Sequence, residues 1–160
     1  MKRVLFVCLG NICRSPAAEG IMKKYITQQG MDALVECDSA GTANYHQGQL
    51  PDARMRKSAA LRGFNLDSKA RQFKRDDLDE FDYIIAMDKQ NMEGIQAMIE
   101  KDHQRYQKKL HMMTSFCKSH TQTEVPDPYY SSSDGFNLVL DILDDAVDGL
   151  IRHIKKENTE

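Results

Sequence analysis

The 160-residue sequence has no tryptophan, only four prolines, and no apolar run long enough to cross a membrane. It also has no excess of charge of one sign, because 22 Lys and Arg residues are interspersed with 24 Asp and Glu residues. This balance argues against a nucleic-acid-binding surface and against a polybasic membrane patch. We therefore expect no nucleic-acid partner and no membrane insertion, and any affinity for phosphate must be local to one site.

The four cysteines form no Cys-x-x-Cys pair and no regular framework. In an intracellular protein this spacing favours free thiols over structural disulfides, and we expect a cytoplasmic location. Cys117 and His120 have no second pair of ligands nearby in the sequence, which favours a solvated loop over a metal site.

Apolar runs alternate with amphipathic segments along the chain. Residues 2–7 are predicted to form a buried strand. The start of the chain, two basic residues followed by an apolar stretch, resembles a signal peptide, but Asn11 and Arg14 interrupt the apolar stretch and no cleavage site follows. Further strands are predicted at 34–37, 83–87 and 110–113, and helices at 17–30, at 52–61, after Asp88 and after Asp134. This alternation favours a single α/β domain over residues 1–160, a parallel sheet with helices on both faces.

The segment CLGNICRS, residues 8–15, follows the first strand, at the sheet edge where open parallel sheets bind ligands. Gly10 and Asn11 accept left-handed backbone, which turns N–H groups inward to form an anion nest. Pro16 suits the first helical position, which places the nest at the positive end of a helix. Arg14 can grip the same anion with two parallel hydrogen bonds. The sequence therefore predicts a site for a phosphate-like dianion.

Cys8 lies in the same positive field, which favours a thiolate, and Ser15 can donate a hydrogen bond to it. A thiolate that faces phosphorus is a nucleophile. Transfer to sulfur needs an acid for the leaving oxygen, and Asp127, between two prolines, is the candidate. The alternatives are a buried strand-end cysteine with a surface arginine, and a plain turn aspartate.

Several segments together resemble one known family. CLGNICRSP and DPYY, with SAGT, ARQF and FDYIIAMD between them, closely resemble the low-molecular-weight protein tyrosine phosphatases over essentially the whole chain. The resemblance implies a four-stranded parallel sheet in a flavodoxin-like fold. It implies hydrolysis of protein phosphotyrosine and small aryl phosphates, without metal or cofactor. It also implies Cys8 as the nucleophile that forms a phosphocysteine, Arg14 as the phosphate clamp, and Asp127 as acid and then base.

The remaining site predictions concern binding. The predicted phosphate- and substrate-binding residues are Leu9, Gly10, Asn11, Ile12, Cys13, Ser15, Tyr45 and Tyr129. By the resemblance, Asn11, Ser15 and Ser39 brace the loop through hydrogen bonds, and Ser68 stands where relatives often have a histidine. The implied partners are tyrosine-phosphorylated proteins, with inorganic phosphate or vanadate as inhibitors, and we expect a monomer.

Three other functions stay open. Phosphoarginine phosphatases look similar but carry threonine where this chain has Ile12, and the apolar side chain favours phosphotyrosine. An arsenate reductase of this fold needs further cysteines arranged for a thiol relay, and Cys37 and Cys117 lie elsewhere. A non-enzymatic phosphotyrosine-binding module need not keep both Cys8 and Asp127.

Two residues have two interpretations each. Asp88 is either a helix cap or part of the site. Cys13, on the same turn as Cys8, either approaches it closely enough for a reversible disulfide after oxidation or packs beneath the loop.

Overall fold

Four parallel β-strands organise the computed structural model, which describes residues 1–159; residue 160, the last of the predicted domain, lies outside the described residues. The strands are β1 (Lys2–Cys8), β2 (Val35–Gly41), β3 (Tyr83–Ala86) and β4 (Leu110–Met112). They lie in the order β2–β1–β3–β4, and every neighbouring pair is parallel. This order is that of a flavodoxin-like doubly wound sheet, so the predicted fold class is confirmed.

Helices cover both faces of the sheet, as predicted. Within residues 1–159 they are α1 (Arg14–Gln28), α2 (Ala53–Ala60), α3 (Arg75–Glu80), α4 (Lys89–Met98), α5 (His103–Tyr106) and α6 (Ser133–Asn158). Successive strand residues face opposite sides, so Val4 and Phe6 join the core with α1, α2 and α6, while Leu5 and Val7 join the other core with α3, α4 and α5. No helix in the described part of the chain is long and apolar enough to cross a membrane.

The start of α1 differs from the prediction. The helix begins at Arg14, so Pro16 is its third residue and its predicted place at the first position is wrong. Proline is tolerated there because the first N–H groups of a helix have no partner within the helix. As a result, Arg14 and Ser15 both belong to the first turn, at the positive end of the helix.

Strand β2 is longer than the predicted 34–37. Its last residues are polar or small, but they still pair with β1, with Ser39 opposite Phe6 and Gly41 opposite Cys8. This register brings the end of β2 beside the start of the anion loop. The short helices α3 and α5 were not predicted, because they are too brief to show a periodic apolar pattern.

Candidate active site

The loop 8–15 leaves the carboxyl end of β1 and enters α1, where the sequence places the anion site. Backbone hydrogen bonds hold it from outside: the Thr42 N–H donates to the Cys8 carbonyl at 2.9 Å, and the Asp52 N–H donates to the Ile12 carbonyl at 2.7 Å. These bonds use carbonyl groups of the loop, which leaves its N–H groups to face an anion.

Asn11 fixes the turn of this loop. Its φ angle is 58°, the left-handed conformation that its residue type predicts. The side chain is buried, and its Nδ2 donates to Ser15 Oγ at 2.8 Å while its Oδ1 accepts from the Arg71 N–H at 3.0 Å. Asn11 therefore ties the loop to α1 and to the segment that carries Arg71.

Cys8 and Ser15 are in contact at the base of the loop, with 2.9 Å between Sγ and Oγ. Because Ser15 Oγ accepts a hydrogen bond from Asn11, its own proton can point toward sulfur or toward the Ala40 carbonyl oxygen, which lies 3.5 Å away. The side chain of Cys8 is almost fully buried. The predicted contact of Ser15 with Cys8 is therefore present.

Arg14 is buried among carboxylates. Its Nη1 donates to Asp88 Oδ2 at 2.7 Å and to the Val125 carbonyl at 3.0 Å, and its Nη2 lies 3.6 Å from Asp127 Oδ2. Burial alone lowers the pKa of Arg14, but the charges of Cys8, Asp88 and Asp127 outweigh it and the pKa rises. The guanidinium is therefore a fixed cation beside Cys8.

Asp88 satisfies both of its predicted interpretations. Its Oδ1 accepts from the Asn91 N–H at 2.8 Å and caps α4, while its Oδ2 anchors Arg14. One carboxylate thus couples the start of α4 to the guanidinium. The pairing joins residues 74 positions apart in the chain, which no local sequence pattern reports.

Asp127 lies at the mouth of the site, with 47% of its side chain exposed. Its Oδ1 accepts from the Tyr129 N–H at 3.1 Å, a turn-type bond that orients the carboxyl group. The preceding loop is held to the sheet, because the Val125 N–H donates to the Met87 carbonyl at 2.8 Å. Asp127 is thereby held near Arg14 but open to solvent.

A pocket of about 350 Å³ collects these groups. It is lined by Cys8, Leu9, Gly10, Ile12, Cys13, Arg14, Tyr45, His46, Asp127, Tyr129 and Tyr130. The structure therefore brings together the three predicted catalytic residues, although 113 positions separate Arg14 from Asp127 (127 − 14). Asn11 and Ser15, predicted as binding residues, do not line the pocket but brace the loop beneath it.

His46 is a pocket residue that the sequence analysis missed. A Cβ atom added to Gly10 would lie 3.0 Å from its Cδ2, so the imidazole rests directly on the anion loop. Its Nδ1 is 3.2 Å from Gln49 Oε1. The only signal in the sequence was its position next to Tyr45, a predicted substrate-binding residue.

Ser39 does not brace the loop as predicted. Its hydroxyl donates to Glu19 Oε1 at 2.6 Å, and Lys23 Nζ donates to the other oxygen of that carboxylate. Ser39 therefore links β2 to α1 instead, because the side chain at its register position faces the buried Glu19.

Cys13 is buried in the lining of the pocket. Burial raises its pKa well above the ordinary value, and the negative charges of Asp52 and Cys8 raise it further. Cys13 is thus a protonated thiol beside the site, and its oxidation to a disulfide with Cys8 stays a prediction. Cys37 and Cys117 do not line the pocket.

The chain is similar to several known proteins. The model of a family described as low molecular weight phosphotyrosine protein phosphatase matches residues 3–160. A Synechocystis protein, provisionally named a low molecular weight protein-tyrosine-phosphatase, is 46% identical over 97% of this chain and 98% of its own. A crystal structure of an Entamoeba histolytica protein tyrosine phosphatase with Hepes in the active site is similar with a TM-score of 0.93, 45% identity and 99% of both chains covered. A Drosophila arginine phosphatase has a TM-score of 0.87 and 29% identity, over 96% of this chain and 97% of that one.

Proposed function

Because this chain belongs to the low molecular weight phosphotyrosine protein phosphatase family, we propose that it hydrolyses protein phosphotyrosine and small aryl phosphates through a phosphocysteine on Cys8. The observation that carries this mechanism is the meeting of Cys8, Arg14 and Asp127 in one pocket. We propose that residues 1–160 form the single domain responsible, with no cofactor.

In the first step, the phosphate dianion binds the N–H groups of loop 8–15 and the guanidinium of Arg14. The Cys8 thiolate attacks phosphorus opposite the tyrosine oxygen, so a sulfur–phosphorus bond forms while the phosphorus–oxygen bond breaks. Asp127 transfers its proton to the departing oxygen, and the product is a neutral tyrosine side chain. Ser15, 2.9 Å from sulfur, stabilises the thiolate before attack.

In the second step, the same carboxylate acts as a base. Asp127 takes a proton from a water molecule, whose oxygen attacks phosphorus as the sulfur–phosphorus bond breaks. Inorganic phosphate leaves the site, and the Cys8 thiolate is regenerated. The exposure of Asp127 supports this role, since water reaches it from the mouth of the pocket.

The walls of the pocket favour an aromatic substrate. Ile12 and Leu9 supply aliphatic surface, and Tyr129 packs edge-on against Tyr130 with ring centroids 5.0 Å apart. An aryl ring can lie between these side chains with its phosphate on the loop. Ile12 offers no hydroxyl to hydrogen-bond the nitrogen atoms of a phosphoarginine, which supports phosphotyrosine as the substrate.

The test compares phosphotyrosine and phosphoarginine peptides of the same sequence, with EDTA present. We expect faster hydrolysis of phosphotyrosine, competitive inhibition by vanadate or phosphate, and loss of turnover in Cys8→Ser with binding largely kept. Cys117→Ser is the matched control, because that thiol lies outside the pocket. Most of the wild-type rate in Cys8→Ser would exclude the phosphocysteine, and faster phosphoarginine hydrolysis would exclude the proposed substrate.

A further inference from the structure

A second hollow, of about 500 Å³, lies along α2 and is separate from the pocket described above. We call it the α2 groove; it is lined by Leu50, Ala53, Arg56, Lys57, Ala60, Phe64, Asn65, Leu66 and Asp67. Phe64 and Leu66 are buried and form an apolar floor, while Ala53 and Ala60 on the helix are exposed. The small alanine side chains leave this face of α2 open.

The α2 groove begins where the wall of the active-site pocket ends. Ala53 lines the groove, and the next residue, Arg54, places its guanidinium 5.3 Å from the ring centroid of Tyr129, which lines the pocket. Consecutive Cα atoms are only about 3.8 Å apart. On the other side, Leu50 of the groove follows the pocket residue His46 after a turn closed by a 2.9 Å hydrogen bond from the Gln49 N–H to the His46 carbonyl.

The dimensions of the groove suit an extended peptide. The pocket has room for the phosphotyrosine side chain, so the neighbouring residues of a protein substrate must lie on the surface beside its mouth. From Ala53 to Ala60, α2 rises about 10 Å at about 1.5 Å per residue. Three residues of extended chain cover the same length at about 3.3 Å each.

The charge of the groove is basic. Arg54 is neutralised by Asp52 at 2.8 Å, and Asp67 is the one carboxylate in the groove lining. The lining also contains two cationic side chains, Arg56 and Lys57. The Nε of Arg56 donates to the Pro51 carbonyl, and Lys57 is exposed in the last turn of α2. The lining thus combines an apolar floor with a net positive charge.

We propose that the α2 groove binds the substrate segment next to the phosphotyrosine and selects a segment that carries an apolar and an acidic side chain. The apolar side chain packs on Phe64 and Leu66, and the acidic one pairs with Lys57. This inference rests on the proposed phosphotyrosine hydrolysis, and it names the kind of phosphoprotein that the site prefers.

The test uses p-nitrophenyl phosphate and two phosphotyrosine peptides that differ next to the phosphotyrosine. The Glu peptide carries Leu and Glu there, and the Lys peptide carries Leu and Lys at the same two positions. Each peptide is made in two versions, with these residues on the amino-terminal or on the carboxyl-terminal side of the phosphotyrosine. Wild type is expected to show a lower KM for the Glu peptide on one side. Lys57→Glu should raise that KM about two- to fivefold, the usual range for an exposed charge pair, and lower it for the Lys peptide. Ala60→Trp should raise the KM of both peptides, because the added indole would cover the apolar floor on which Leu packs. Hydrolysis of p-nitrophenyl phosphate should not change, and Lys108→Glu, exposed on the far edge of the sheet, is the control.

Equal KM values for both peptides in wild type, Lys57→Glu and Ala60→Trp would overturn the proposal. Binding of the same peptides to Cys8→Ser, followed by fluorescence anisotropy, separates it from the proposed function, because this measurement needs no turnover. If light scattering showed a dimer that Lys57→Glu dissociates, with no peptide preference, the groove would be an interface between two copies of the chain and the proposal would be wrong.

Discussion

Asp127 combines nearness to the anion site with access to water. Its Oδ2 lies 3.6 Å from Arg14 Nη2, and its side chain is half exposed. A carboxyl group in this position can protonate a leaving oxygen and later deprotonate water. The hydrogen bond from the Tyr129 N–H to Asp127 Oδ1 gives the carboxyl group a defined orientation. This bond is equally consistent with a purely structural role of Asp127 in its loop. The two roles differ in how they depend on the leaving group.

Asp127→Ala should slow the hydrolysis of phosphotyrosine peptides by about 10²–10⁴-fold, the usual contribution of a positioned general acid. Formation of the phosphocysteine from p-nitrophenyl phosphate should fall much less, because nitrophenolate leaves without a proton. Burst kinetics measure this step separately from the later hydrolysis. Asp134→Ala, an exposed carboxylate in the first turn of α6, is the control. An equal loss for both leaving groups would show that Asp127 only shapes its loop.

At the scale of elements, the end of β2 supports the anion loop. Gly41 pairs with Cys8, and a Cβ atom on Gly41 would lie 2.7 Å from the Leu9 carbonyl oxygen and 3.1 Å from the Asn11 nitrogen. Both contacts are with backbone atoms of the loop, so they cannot be relieved by a side-chain rotation. The loop approaches β2 this closely only because residue 41 has no side chain.

Gly41→Ala should therefore displace the loop and lower kcat/KM for aryl phosphates by about 10–100-fold, since a displacement near 1 Å is enough for such losses. Gly94→Ala in α4 is the matched control; its added Cβ would lie 3.3 Å from a methyl group of Thr42 and should leave kcat/KM nearly unchanged. Thermal unfolding of both variants checks that the fold persists. Full activity in Gly41→Ala would mean that the loop tolerates the displacement.

At the scale of the whole molecule, the carboxyl-terminal half of α6 docks on the sheet through a cluster of rings. His111 of β4 lies 5.8 Å from the ring of Tyr83, 5.5 Å from Phe116 and 6.4 Å from His153 of α6. Burial lowers the pKa of His111, and the nearby His153 lowers it further, while Glu157 has the opposite effect. Docking of α6 therefore favours neutral His111.

The sign of the pH dependence follows from this direction. The unfolded chain binds a proton on His111 near pH 6.5, whereas the folded protein binds it only at lower pH. The free energy of unfolding is thus fully retained above about pH 6.5 and decreases as the pH falls below it. Urea unfolding at pH 7.5, 6 and 5 should show a weaker dependence in His111→Phe than in wild type. His103→Phe, an exposed histidine of α5, should behave as wild type; an unchanged slope in His111→Phe would contradict the assignment.

Some of this architecture was predictable because its causes are local. The apolar run of β1 needs burial on both faces. Gly30 and Gly63, with φ angles of 67° and 84°, lie in the turns that follow α1 and α2, where glycine adopts left-handed backbone at low cost. The left-handed Asn11 and the contact of Cys8 with Ser15 lie within one short segment. Spacing and residue type therefore predicted them.

The sequence by itself determined the parallel α/β class and the loop 8–15, and it predicted Cys8, Arg14 and Asp127 as the side chains that we propose to be reactive. Only the tertiary structure decided that Asp88, besides capping α4, anchors Arg14, that Ser39 faces Glu19 instead of the loop, and that His46 rests on Gly10. These contacts join residues from separate elements, and their distances depend on strand register and helix packing. No local pattern encodes such distances, because each one results from the folding of the whole chain.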